Sequence, residues 1–267
     1  MAGPTAQTDF DVLIVGAGIS GIGMAAHMKE KAPHHSYAIL ERRNNLGGTW
    51  DLFRYPGIRS DSDMHTLGFD FEPWRHEKSI ADGPSILDYL NRIVDERGIR
   101  QHIRTGHTVI AADWREADAC WHVTVETDHG ERKHLTANWL YLGSGYYDYD
   151  EPYDPGFDLG AFEGRVVHPQ FWPDDLDYSG KQVVVIGSGA TAVTLVPSMA
   201  KGPSRAAKVT MLQRTPTWMF SRPAKDRIAN VLRKVLPEKL AYRITRWKNI
   251  TLQHLGFKRA RTKPEKM

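Results

Sequence analysis

The 267-residue chain is long enough for one large or two small domains, and its 41% hydrophobic and 25% charged content is that of an ordinary globular fold. A single cysteine, Cys120, excludes an internal disulfide, a CxxC redox pair and a cysteine-based metal cluster, which fits a reducing, cytoplasmic setting. The net charge of +3 is uneven: residues 222–267 hold 14 Lys/Arg against 3 Asp/Glu, a balance of +11 that leaves −8 on the first 221 residues. Met1–Thr8 lacks the basic and apolar regions of a secretory leader. The longest apolar run, Val12–Met28, is broken by four glycines and Ser20, so no membrane span is expected.

In chain order, Phe10–Val15 reads as a buried parallel strand, residues 19–30 as a helix and Tyr37–Glu41 as a second strand, together a βαβ unit. Between the first strand and the helix lies Gly16-Ala17-Gly18-Ile19-Ser20-Gly21. Gly16 permits a tight turn, Gly18 lets the backbone approach a pyrophosphate, and Gly21 lets helix and strand pack closely. The helix N-terminus then offers unpaired N–H groups and a partial positive charge to the phosphates. Glu41 ends the second strand, placed to accept hydrogen bonds from a ribose diol. Such a glycine string is weak evidence when isolated; here the strand, helix and terminal acid all fall in place.

A loop rich in Arg, Gly, Pro, Asp and Trp follows from Arg42 to about Ser79. Within it, Gly47-Gly48-Thr49-Trp50 stands at the right distance to border a flavin ring, or is a loop with one buried tryptophan. Tyr55-Pro56-Gly57-Ile58-Arg59-Ser60-Asp61 is, by itself, an unremarkable turn followed by charges. Ser85–Arg97 has helical apolar spacing with Gly98 as its stop. His107–Trp114 and Trp121–Thr127 alternate like antiparallel strands, and Trp139–Leu142 is a short strand ending at Gly143-Ser144-Gly145. The acidic, tyrosine-rich stretch Tyr146–Asp158 reads as the crossing into a second domain.

There Lys181–Ile186, Thr191–Ala200 and Lys208–Leu212 repeat the strand–helix–strand plan around Gly187-Ser188-Gly189-Ala190-Thr191-Ala192. This second strand pair ends in Gln213-Arg214-Thr215, without an acid. A carboxylate there would repel a 2′-phosphate, whereas Arg214 can form charge-assisted bonds to one, with Thr215 as a further donor. NADP is therefore expected over NAD; the plain alternative is a surface arginine at a strand end. After Pro223 the pattern turns helical (Ile228, Val231, Leu232, Val235, Leu236, then Leu240, Ile244, Trp247), and Lys258–Met267 reads as a frayed basic end. The basic residues of this segment suit either an anionic membrane surface or a helical insertion whose apolar face packs on the NADP domain; the second reading is favoured. No nucleic-acid module is present, and the twelve histidines show no HExxH or paired ligand spacing, so no metal is expected.

Between the two glycine turns, Phe162-Glu163-Gly164-Arg165-Val166-Val167-His168-Pro169-Gln170-Phe171-Trp172-Pro173-Asp174 matches the string FxGxxxHxxxWPD at every fixed position. Together with GxGxxG, GGTW, YPGxRxD and GxGxxA it makes the chain resemble the type I Baeyer–Villiger flavin monooxygenases, and most closely their ethionamide-activating subgroup, over about Asp11–Asn249. The Trp172-Pro173 ending separates it from the related N- and S-oxygenating enzymes.

That resemblance implies an α/β fold with two Rossmann-like dinucleotide-binding domains. An FAD domain would span residues 1–145, an NADP domain 146–221, and residues 222–267 would be a basic helical segment of an interrupted NADP domain. It implies FAD contacts at Gly16, Gly18, Ser20, Gly21, Glu41, Thr49, Trp50 and Asp61, with backbone bonds from Val109 to the adenine. It implies NADP contacts at Arg59, Gly187, Ser188, Gly189, Ala190, Thr191, Arg214 and Thr215. His168 would sit at the hinge, coupling cofactor binding to domain movement. The implied reaction is reduction of FAD by NADPH, capture of O2 as a flavin C4a-peroxide, and oxygen insertion into a ketone or oxygenation of a sulfur substrate. Family members continue past this C-terminus, so the rest of the NADP domain, the segment completing the FAD domain, most of the substrate pocket and the active-site arginine beside Asp61's counterpart are expected beyond Met267. The chain alone is expected to be at most a weak flavin binder with little coupled oxygenation. The rival readings are an N/S-oxygenating flavin monooxygenase, an NADPH–flavin reductase, and an inactive cofactor-binding remnant.

Overall fold

The computed structural model describes residues 7–215, 219 and 223–263. Most of the segment read for a leader, Arg222 at the start of the basic segment, and the last four residues of the basic end lie outside them. The chain divides into two compact units: Met1–Arg54 with Pro84–Asp174, and Tyr55–Gly83 with Asp175–Met267. The first unit thus extends through the tyrosine-rich stretch and the FxGxxxHxxxWPD string, which are tied to each other by Gln170 Nε2 donating to the Asp148 carbonyl at 2.6 Å and to the rest of the unit by Arg42 donating to Asp150.

In the first unit, β1 (Phe10–Val15), α1 (Ile19–Lys31) and β2 (Tyr37–Leu40) form the expected βαβ unit, with β1 and β2 parallel in the register Val12↔Tyr37 to Val15↔Leu40. The loop after β2 contains one-turn helices, α2 (Thr49–Leu52) and, in the second unit, α3 (Met64–Leu67). The helix α4 (Gly83–Glu96) ends just before Gly98, whose φ of +59° stops it. Then come β3 (Ile103–Arg104), β4 (His107–Arg115), β5 (Cys120–Thr127) and β6 (Arg132–Leu142). The sheet order is β3-β2-β1-β6-β5-β4.

β6 is the longest strand and does two jobs: residues 137–142 pair in parallel with β1, and residues 132–137 pair antiparallel with β5. The sequence patterning reaches only its apolar end, Trp139–Leu142. The preceding Arg132–Thr136 is too polar to read as a strand and is held there by its partner instead. The core gathers Leu13, Ala38, Leu40, Val123, Val125 and Ala137. Each fully buried side chain of leucine size contributes about 1.5–3 kcal/mol.

In the second unit, β7 (Gln182–Ile186), α5 (Ala190–Met199) and β8 (Lys208–Leu212) form the second βαβ unit, the two strands parallel from Gln182↔Lys208 to Ile186↔Leu212. Two further helices follow, α6 (Arg227–Val235) and α7 (Glu238–Thr262), broken at Pro237. Residues 258–262, read as frayed, continue α7. No helix among the described residues is long and apolar enough to cross a membrane.

The face that α6 and α7 bury corrects the expected packing. Ala229, Ala241, Tyr242, Thr245 and Asn249 are buried, whereas of the apolar series of the sequence Leu232 and Leu236 are half-buried and Ile228, Val231, Val235, Leu240, Ile244 and Trp247 are exposed, Trp247 by 71%. The buried face is small and polar because it meets the Tyr55–Gly83 loop through hydrogen bonds. Tyr242 donates to the Phe69 carbonyl at 2.8 Å, and Arg246 donates to the carbonyls of His65, Thr66 and Gly68 at 2.9–3.3 Å, which places a cation at the C-terminal end of α3.

Candidate dinucleotide sites

The turn after β1 is built by contact as much as by conformation. Gly16 has φ of +95°, and a Cβ there would lie 2.7 Å from the Gly143 carbonyl oxygen; a Cβ on Gly21 would lie 1.9 Å from the Gly16 oxygen. The chain can pass from β1 to α1 here only without side chains. At Gly18 the situation differs: the nearest atom to its would-be Cβ is the Gly48 Cα, at an ordinary 3.7 Å. Gly18 is the N-cap of α1 and supplies no side-chain cap, so the first N–H groups of α1 keep their capacity for an anion.

Glu41 is buried, and its two oxygens accept from the Ala17 N–H at 2.8 Å and the Arg43 N–H at 2.9 Å. One carboxylate therefore ties the glycine turn to the end of β2, and each oxygen keeps a further lone pair for a donor such as a ribose hydroxyl. The second glycine pair closes over the same turn: Gly47 donates to the Ala17 carbonyl at 2.9 Å, and Gly48 faces Gly18 backbone to backbone. Thr49 and Trp50 open α2, which Arg43 anchors through Asp51 at 2.7 Å. Ser20 shares a hydrogen bond of 2.9 Å with the Tyr141 hydroxyl. Val109 lies on β4, the edge strand of the sheet, at a point where the ladder register shifts between Val109 and Ala111.

Tyr149 belongs to this site although its sequence context carries no signal for it. Its ring lies under the guanidinium groups of Arg42 and Arg43, and its hydroxyl faces Gly48. His168 caps a short 3-10 turn, Pro169–Phe171, its Nδ1 accepting from the Gln170 N–H at 3.2 Å. It is exposed overall, yet desolvation of the packed part of its ring holds its pKa below 6.5. It lies six residues before the end of the first unit at Asp174.

The second unit repeats the turn with the opposite terminus. Gly187 takes φ of +123°, Gly189 caps α5 without a side chain, and nothing stands within 4 Å of a would-be Cβ at either. Ser188 Oγ donates to the Thr215 carbonyl at 3.3 Å, fixing the end of β8 against the turn. Ala190 and Thr191 form the first turn of α5. Arg214 is exposed and makes no ion pair among the described residues.

The YPGxRxD loop packs on this same α5. A Cβ on Gly57, whose φ is +80°, would fall 1.9 Å from Ser198 Oγ and 3.3 Å from Thr194 Cγ2. Burial pushes the Tyr55 hydroxyl above its ordinary 10.0; a hydrogen bond with Thr191 opposes the rise, Asp61 adds to it and Arg59 opposes it. Tyr55, Arg59, Asp61 and Thr191 therefore form one electrostatic neighbourhood at the start of α5. Arg59 and Asp61 thus both act on Tyr55, as does Thr191 in the first turn of α5.

The family model for pyridine nucleotide-disulphide oxidoreductases matches residues 13–254. The chain is 57% identical over 97% of its length to the FAD-containing monooxygenase EthA of Mycolicibacterium smegmatis, covering 52% of that protein. It is 53% identical over 96% of its length to the EthA of Mycobacterium tuberculosis, again covering 52%. Among solved structures it is similar to the OTEMO complex with FAD and NADP, at 30% identity and a TM-score of 0.66, over 79% of this chain and 40% of that one. The chain spans about half the length of the curated relatives it matches.

Proposed function

The chain belongs to the pyridine nucleotide-disulphide oxidoreductase family, and we propose that it serves as the cofactor-binding portion of an FAD- and NADPH-dependent monooxygenase of the Baeyer–Villiger type. The observation that carries this reading is the contrast between two glycine turns of one plan: the first closes on a buried acid, Glu41, and the second on an exposed guanidinium, Arg214. Disulfide chemistry does not fit, since the chain has one cysteine, Cys120, and it is free.

In this reading the first unit holds FAD. The N–H groups at the start of α1 and the bare backbones of Gly16, Gly18, Gly21 and Gly48 take the pyrophosphate, Ser20 lies beside them, Glu41 takes the ribose, Thr49 and Trp50 border the ring system, and Val109 meets the adenine. The second unit holds NADPH through Gly187, Ser188, Gly189, Ala190 and Thr191, with Arg214 and Thr215 on the 2′-phosphate. Arg59 and Asp61 stand at the nicotinamide end of α5, and His168 positions the passage between the units. FAD, when bound, accepts hydride from NADPH and activates O2; the substrate would be a ketone or a sulfur compound. What these residues supply is binding, fixed charge and exclusion of water.

The test reads both cofactors. The purified chain, titrated with FAD at equilibrium, is expected to show weak but saturable flavin binding and to bind NADPH more tightly than NADH. Arg214→Ala removes one charge-assisted contact, worth about 1.5–3 kcal/mol, so NADPH affinity should fall by about 10- to 100-fold while NADH affinity stays nearly constant. Product analysis with a ketone against a thioether assigns the oxygenation. A chain that shows no saturable FAD binding in that titration and responds equally to NADPH and NADH overturns the reading.

A further inference from the structure

The β4–β5 hairpin brings three different metal-ligand atoms to one point. His122 Nε2 lies 3.6 Å from Cys120 Sγ and 2.9 Å from Asp118 Oδ2, and the three atoms all fall within 4.8 Å of one another. Cys120 and His122 stand two apart on β5 and so share a face of the strand. Asp118 is carried over them by the turn, in which Ala119 takes φ of +50°, the one non-glycine residue with positive φ among the described residues.

We propose that Asp118, Cys120 and His122 form a zinc site with three protein ligands and a fourth position open to water. Ordinary Zn–S and Zn–N bonds of about 2.3 and 2.0–2.1 Å in a tetrahedral array put sulfur and nitrogen about 3.6 Å apart, which is the separation found. Nitrogen and oxygen in such an array stand about 3.4 Å apart, so the present hydrogen bond opens by roughly half an ångström. His122 Nε2 faces two partners and carries at most one proton, so the cluster cannot satisfy both contacts with protons alone. The ion replaces them: the thiol proton and any proton on Nε2 pass to solvent, and a thiolate and a carboxylate then balance the two positive charges. That balance matters because Cys120 is 2% exposed, and a thiolate there without a cation would be costly. The mixed set of sulfur, imidazole and carboxylate suits zinc better than magnesium or calcium.

The site is separate from the Gly16 turn of the same unit. Trp121, next to Cys120, pairs with Ala137, and Ala137 pairs with Phe10, the first residue of β1; the Gly16 turn follows its last. The ion would clip the hairpin at the opposite end of the sheet, independently of any flavin. A ligand set spaced Asp-x-Cys-x-His resembles neither a CxxC pair nor an HExxH helix, and only the turn geometry makes it visible.

The chain's single cysteine makes the test specific. After chelator treatment, the protein is titrated with Co2+ alone and with Zn2+ alone. One equivalent of Co2+ is expected to produce a sulfur-to-cobalt charge-transfer band and the intense visible bands of four-coordination, both lost when Zn2+ displaces it. Cys120→Ser should abolish the charge-transfer band and weaken Zn2+ binding by about 100-fold or more. His122→Gln should weaken binding comparably, with circular dichroism reporting the fold of each variant. The proposal fails if stoichiometric Co2+ gives no sulfur band, if the band appears only as protein concentration rises, or if Zn2+ binding survives both substitutions.

Discussion

Gly57 carries more of the second unit than its place in a loop would indicate. Its φ of +80° and the 1.9 Å that would separate a Cβ from Ser198 Oγ act together, because Ser198 is itself held, donating to the Thr194 carbonyl at 2.8 Å. Gly57→Ala should cost about 1–2 kcal/mol for the left-handed backbone and about 1–3 kcal/mol for the overpacked contact with α5. Its denaturation midpoint would fall, and Ser198→Ala in the same chain should restore only some of the second part, since the residue-198 Cβ would still lie 2.9 Å away. A midpoint unchanged within error would mean that the loop does not rest on α5. Nothing in the string Tyr55–Asp61 announces this contact, since its partner lies some 140 residues away in a different element. Gly21 was legible by contrast, because the atom it must avoid, the Gly16 oxygen, belongs to the same short motif; Gly16 was legible from its turn, but not from the distant Gly143 carbonyl it must avoid. Glu41 was legible as a terminal acid, but not as the brace that ties Ala17 to Arg43. Asp118, Cys120 and His122 stayed hidden because ligand geometry made by one strained turn has no repeating pattern to read.

At the scale of elements, α3 and α7 are joined by a buried polar network. Asp63, fully buried, caps α3 by accepting from the Thr66 N–H at 3.2 Å and accepts from Asn249 Nδ2 at 2.9 Å and Gln253 Nε2 at 3.0 Å. Beside it His65 is 2% exposed, and burial lowers its pKa below 6.5, an effect strengthened by Arg233 and Lys248 and opposed by Asp63 and Asp226. The sign follows from proton linkage. With the folded pKa depressed, the unfolded chain binds the proton more readily, so stability rises with pH across the interval between the folded pKa and 6.5. His65 therefore contributes fully above pH 6.5 and progressively less as pH falls below it. Denaturant midpoints measured on either side of pH 6.5 should show that decline, and His65→Gln should flatten it; an equal slope in the variant would assign the loss to other groups. The elements themselves were legible where apolar residues cluster, as in β1, β2, β7, β8 and the inner face of α4. They were not where a partner imposes the structure, as in the polar half of β6. The helical period of α6 and α7 was legible too, but not which face turns inward, because hydrogen bonds to the Tyr55–Gly83 loop select Tyr242 and Asn249 over Ile244 and Trp247.

For the molecule as a whole, the decisive feature is how much apolar surface the described residues leave in water. Parallel strands are ordinarily covered on both faces, yet β7 and β8 expose Val184, Ile186 and Leu212, and α6 and α7 expose Ile228, Val231, Val235 and Trp247. β6 adds Trp139 and Leu142, both 71% exposed. In the chain by itself this apolar surface has a direct consequence: changing these side chains should cost little stability. The triple substitution Val184→Thr, Ile186→Thr and Leu212→Thr is expected to shift the unfolding free energy by no more than about 0.5 kcal/mol per site. The same changes should reduce binding of an apolar dye and slow concentration-dependent association. Burial of those three side chains would make each change cost about 1–3 kcal/mol instead, so a large loss of stability would show that the face is already covered in solution. Little loss together with unchanged dye binding would place the sticky surface on α6 and α7, where Val231→Glu and Trp247→Glu give the same measurement a second target.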